Sequence, residues 1–180
     1  MLTVLAIAIT AATATPDTAI MELKLTAPGL RAHHAQDGRL DRLYGDVLST
    51  GRTATDSASM FVAAHADVWG VKATDLVSDS KAVGLMFDRS TGTPRFTRVL
   101  FTQHHAGVQV FDASLRLLIG NTSDHELVLA AADLRSLGDW APTSVPSIQS
   151  REILIAKAAL HMLGPRALIE EAAQLVVFAG

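Results

Sequence analysis

The chain has no cysteine among its 180 residues. Disulfides, thiolate metal sites and cysteine nucleophiles are therefore excluded, and redox usage gives no clue to compartment. A basic surplus is missing too: 15 Lys and Arg stand against 18 Asp and Glu, and a net charge of −3 gives no bulk attraction for nucleic acid or an anionic membrane. Both partners are set aside on that ground. Glycine-rich phosphate loops and a Gly-x-Ser-x-Gly nucleophile elbow are absent. Charge is sparse at 18%, whereas hydrophobic residues make up 49%, so the chain can bury a real core and is not disordered as a whole. At this length it accommodates one medium domain or two small ones.

Zinc-protease chemistry needs His-Glu-x-x-His on a helix, which puts two imidazoles one turn apart with a carboxylate base between them. Only His125-Glu126 occurs, followed by Leu127, Val128 and Leu129, so the second ligand is missing. Two histidine pairs remain, His33-His34 and His104-His105. Neighbours on a strand point to opposite faces, so His104 and His105 cannot hold one metal together from an extended arm. His65 and His161 read as boundary residues covering core. Asp37, Asp41, Asp46 and the pair Glu170-Glu171 have no partner at a spacing suited to acid/base work and read as solvated faces. Trp69 and Trp140 fit core or linker packing better than interface anchoring. No catalytic residue, metal ligand or cofactor site is assigned.

Residues 1–15 form an apolar run ending in Ala12-Thr13-Ala14, the pattern of a secretory signal peptide, although no Lys or Arg precedes the apolar core. Alternatives are a buried N-terminal strand or a start at Met21. The expected location is secreted or extracytoplasmic. No stretch approaches the ~20 apolar residues of a membrane helix, so no stable membrane span is expected.

Residues 97–119 carry the clearest pattern in the chain. Thr97, Val99, Phe101 and Gln103 share one face of an extended segment; after Ala106-Gly107, Phe111, Ala113, Leu115, Leu117 and Ile119 share a face, with Asp112, Ser114 and Arg116 opposite. Such a pattern predicts a half-buried hairpin turning at Gly107. Ahead of it, Thr55, Asp56 or Ser57 can cap a helix whose stripe is Ala58, Phe61, Val62, His65, Val68 and Trp69, with Gly70 as its stop. A short strand is expected over residues 83–88, closed by the turn cluster at 90–94, and another over 126–132, whose alanines suit a helix as well. Residues 16–40 show little periodicity and read as a weakly ordered leader. Pro142 and Pro146 mark 139–146 as a linker. A second helix follows, with Ile153, Ala156, Leu160 and Leu163 on one stripe, and residues 175–178 read as an apolar strand with no neighbour left to pair with.

The run Gln103-His104-His105-Ala106-Gly107-Val108-Gln109-Val110-Phe111-Asp112-Ala113 resembles the Q-x-x-x-G-V-x-V-F-x-A signature of the FTP domain, the propeptide domain of the fungalysin and thermolysin families of zinc metallopeptidases. Gln109 stands where that family commonly has proline, and the His pair where it has one bulky residue. The resemblance implies an α+β fold: an antiparallel sheet packed by a helix over residues 41–138, then the linker and a partial cystatin-like PepSY unit over 147–180. It also implies a pro-region of a secreted zinc metalloendopeptidase, acting as intramolecular chaperone and inhibitor, monomeric, with its partner the cognate catalytic domain in cis. Zinc would belong to that domain, outside this chain. Within the signature, Gly107 is expected to serve the turn, Gln103 to hydrogen-bond near it, and Val108, Val110 and Phe111 to pack on the 58–69 helix. The alternative is a freestanding exported peptidase inhibitor or binding module, and a third reading is a structural module of a larger surface protein.

Overall fold

The computed structural model describes residues 15–137 and 176–177. It is an α+β fold. Helix α1 spans Pro16–Thr26 and α2 spans Ala54–His65; strands run β1 Arg31–His34, β2 Leu40–Ser49, β3 Leu76–Ser78, β4 Gly84–Phe87, β5 Pro94–His105, β6 Val108–Gly120, β7 Leu127–Asp133 and β8 Val176–Val177. The sheet order is β1-β2-β7-β6-β5-β3, with β4 also on β5 and β8 on β6. All pairings are antiparallel except β8 on β6, which is parallel. The segment read from the sequence as a signal peptide, up to Ala14, the stretch read as a linker, His161, Trp140, Glu170-Glu171 and all of the stretch expected to be PepSY-like except β8 lie outside the described residues.

The expected hairpin is the centre of the sheet. Thr97, Val99, Phe101 and Gln103 are all buried on one face of β5. The turn takes positive φ at two successive residues, 49° at Ala106 and 78° at Gly107, as a two-residue type I′ turn demands. Glycine accepts this freely, but alanine in the left-handed region is strained by about 1–2 kcal/mol. Replacing Ala106 with asparagine is expected to stabilise the fold by about 0.5–1 kcal/mol, read as a higher urea midpoint at constant slope.

On β6 the alternation breaks. Ala113, Leu115, Leu117 and Ile119 are buried as expected, but Phe111 is 53% exposed, and the buried residues before it are Val108 and Val110. Pairing jumps from Thr102↔Ser114 to His104↔Gln109, so four residues of β6 lie opposite Gln103 alone. Asp112 sits at φ 52° inside this bulge. The extra residues flip the parity of everything before them, which is why Phe111 leaves the buried face.

Helix α2 starts two residues earlier than the candidate caps suggest. Thr53 is the N-cap, its side chain accepting from the Asp56 amide at 3.1 Å, while the Asp56 carboxylate accepts from the Arg52 amide at 3.1 Å. The first bond satisfies an amide that the first turn leaves without a helical partner, and the second ties the residue before the cap to that turn. Ser57, Ala58, Phe61 and Val62 face the sheet. Ser49 of β2 donates to the Ser57 carbonyl at 2.8 Å and so ties the helix start to the sheet. After His65 the chain tightens into a 3₁₀ turn, Ala66–Trp69, stopped by Gly70 at φ 67°. The core lies between these helices and the sheet, with Phe61, Leu43, Val99, Leu115, Leu117, Ile119 and Leu127 at its centre.

The leader is ordered, contrary to the sequence expectation. Pro16 occupies the first helical turn of α1, where a missing N–H costs nothing, and Thr15 caps it. Ala19, Ile20 and Leu23 enter the core, and the helix packs on the 66–69 turn. β1 then pairs with β2. No helix among the described residues is long and apolar enough to cross a membrane.

Candidate functional site

The signature residues divide between two roles. Gln103 is 3% exposed, and its side-chain amide reaches the chain leaving β7: Nε2 donates to the Arg135 carbonyl at 2.6 Å, and Oε1 accepts from the Arg135 amide at 2.8 Å. This is a strand-like pair of bonds supplied by one side chain, and its partner is 32 residues away rather than near the turn. Gly107 makes the turn, and a Cβ there would meet nothing within 4 Å, so its requirement is conformational alone. Val108 and Val110 are 8% and 0% exposed but lie outside the core cluster that contains Phe61 and Trp69. Their expected packing on α2 is replaced by a place at the far end of β6, where β8 pairs Val176 with Gln109 and Val177 with Val110. The strand that lacked a neighbour in the sequence reading therefore finds one in β6, on the edge that β7 leaves after Ser114.

The histidines are scattered. His33 Nδ1 lies 3.2 Å from Asp41 Oδ2, and His104 Nε2 lies 3.2 Å from Thr102 Oγ1. His65 stacks its ring 5.3 Å from Phe61, and burial lowers its pKa against an opposing pull from Asp67. His125 sits at φ 45° in the turn before β7, so His125-Glu126 is not on a helix. Among the described residues no three His, Cys, Asp or Glu side chains converge as a metal site. Trp69 is a core residue, its ring meeting Phe61 edge-on at 6.0 Å.

Carboxylates group with arginines instead. Asp133 lies 3.0 Å from Arg39 Nη1 and is also held by Arg135. Burial pushes the Asp133 carboxyl up, but the hydrogen bonds from Arg135 and Arg39 outweigh it and leave the group below the usual carboxylate range. Asp37 is likewise lowered, chiefly by the Arg39 backbone amide and then by its side chain. Above this cluster the sheet face opposite the helices is left uncovered by the other described residues. Its outward residues are Arg42 and Tyr44 on β2, Leu129 and Ala131 on β7, Arg116 and Leu118 on β6, and Arg98 and Leu100 on β5.

A surface that combines apolar side chains with exposed arginines has the composition of one that can hold another molecule. Arg42 and Arg98 were not singled out in the sequence because lone arginines on alternating positions look like any solvated strand face. The signal that would have found them is their register across four strands, which only the pairing supplies. Comparison with protein families, curated proteins and solved structures finds no match for this chain.

Proposed function

We propose that the chain is the pro-region of a secreted thermolysin- or fungalysin-type zinc metalloendopeptidase, assisting the folding of the catalytic domain and inhibiting it. The observation that carries this reading is the signature itself: it falls on one hairpin, Gln103 through Ala113, in which Gln103 and Gly107 each have a defined structural task. An α+β sheet with helices on one side and an open face on the other supports it, since such a face can lie on a second domain.

The mechanism is complementarity of surfaces. Binding the native peptidase and not its unfolded chain lowers the free energy of the folded form, by about 2.7 kcal/mol when the local concentration is a hundred times Kd. Covering the cleft delays activity until the pro-region is removed. The residues themselves perform no chemical step, and zinc belongs to the peptidase.

The test is to titrate the purified chain into a thermolysin-type catalytic domain and follow peptide hydrolysis, then to refold the denatured domain with and without it. Saturable inhibition at micromolar concentration or below, with a higher yield of refolded activity, is expected. No inhibition at micromolar concentration and no gain in yield would overturn the reading.

A further inference from the structure

We infer that the open sheet face is a docking surface for an acidic protein segment, whose carboxylates sit between Arg42 and Arg116. This deepens the pro-region reading by giving the chemistry of the partner, and depends on it only in that the occupant is a polypeptide.

Two adjacent rows cross four strands on this face. One reads Arg42, Ala131, Arg116, Leu100 and the other Tyr44, Leu129, Leu118, Arg98, as the register of β2, β7, β6 and β5 dictates. The three arginines are exposed and the three leucines half-buried. Arg98 and Arg116 form no ion pair among the described residues, and Arg42 has Asp41 Oδ2 at 3.3 Å from its Nε. Two carboxylates border the hollow, Asp41, which Arg42 and His33 share, and Asp133, which Arg39 and Arg135 hold, so Arg116 and Arg98 carry the uncompensated charge. The face is thus positive, although the whole chain carries −3.

Arg42 and Arg116 lie two strands apart, which separates their backbones by about 10 Å. Ala131 between them is too small to fill that width. The result is a hollow of about 320 Å³ lined by both arginines, Arg39, Asp41, Asp133 and Ala131 among others. A guanidinium presents a planar fork that matches a carboxylate, so a Glu or Asp side chain entering here meets donors from two sides.

The rest of the face selects the kind of polyanion. Tyr44, Leu129 and Leu118 follow one another in the row beside Arg42 and Arg116, so an occupant gains most by bringing apolar side chains next to its carboxylates. A phosphate backbone or a layer of lipid headgroups offers charge without that apolar complement. An acidic segment carrying leucines or aromatics fits both parts.

The full chain can be tested by fluorescence anisotropy with a short labelled peptide alternating Glu and Leu, beside its Lys-for-Glu counterpart, a single-stranded DNA oligonucleotide and phosphatidylserine vesicles. Saturable binding of the Glu peptide is expected, weakening with salt and falling about tenfold in the Arg42→Glu/Arg116→Glu double variant. Both positions are exposed, so thermal melting should be unchanged. Amide shift mapping of the unsubstituted chain gives an independent readout: the Glu peptide should move Ala131, Leu118 and Leu129. Equal binding by the double variant, binding of the Lys peptide, tighter binding of DNA or vesicles, or shifts confined to another face would each overturn the inference. A peptidase inhibited equally well by the double variant would sink this inference and leave the pro-region reading standing. Peptide binding without any peptidase inhibition would do the reverse.

Discussion

Replacing Phe61 with alanine is expected to remove about 3–5 kcal/mol of folding free energy, a large part of what a domain of this size possesses. Phe61 is 0% exposed and stands where α2, the 66–69 turn and the sheet meet. Its ring contacts His65 at 5.3 Å and Trp69 edge-on at 6.0 Å, so the alanine variant loses the burial of the ring and two aromatic contacts together. The helix is anchored at its start by Ser49 and Ser57 and cannot slide inward to fill the space. Urea denaturation measures the loss directly. Met60, its neighbour in sequence, is 56% exposed, and its alanine variant should stay within about 0.5 kcal/mol of the parent. A loss below about 1 kcal/mol at Phe61 would mean that α2 does not pack as described.

The second large effect is at Gln103. Changing it to leucine keeps the buried volume but strips the Arg135 amide and carbonyl of their partners, at an expected cost of about 2–4 kcal/mol for the two groups. Changing it to glutamate is more diagnostic. An ionised carboxylate can still accept from the Arg135 amide but faces the Arg135 carbonyl with no proton to give, whereas the protonated acid can donate and accept as the amide does. Burial beside a carbonyl raises the pKa of that carboxyl above its unfolded value. The Glu variant should therefore be more stable in acid and lose that stability as pH rises through the raised pKa. A pH-independent difference between the Glu variant and the parent would show that the Arg135 contact contributes nothing.

Where sequence and structure agree, the pattern is strictly periodic. The buried face of β5 and the stripe of α2 follow from spacing alone, because nothing interrupts the alternation of Thr97 through Gln103 or the helical recurrence of Ala58, Phe61 and Val62. Disagreement begins at each bulge. Asp112 and the extra residues of β6 invert the parity of Phe111, and the bulge at Gly45, φ 99°, does the same in β2, burying both Leu43 and Leu48 although they are five positions apart. β2 is thereby hidden from a search for alternation. α1 escapes for a different reason. Its core face needs only Ala19, Ile20 and Leu23, too few to mark a stripe, and Pro16 reads as a breaker until its position in the first turn is known.

The candidate surface was less legible than the fold. Arg116 was visible as an outward residue of the hairpin, but its neighbour across Ala131 is Arg42, some seventy positions earlier, and strand pairing is a long-range property that local pattern does not encode. Gln103 illustrates the same limit. Its type and position in the signature pointed to hydrogen bonding, and its buried face was correctly placed, yet the partner lies beyond β7.

The most direct test of the pro-region account is to sequence the transcript that encodes this chain past the codon for Gly180. The account predicts one open reading frame continuing into the rest of a PepSY unit and then a His-Glu-x-x-His peptidase domain. A stop codon at that point, or a continuation into an unrelated domain, would contradict it.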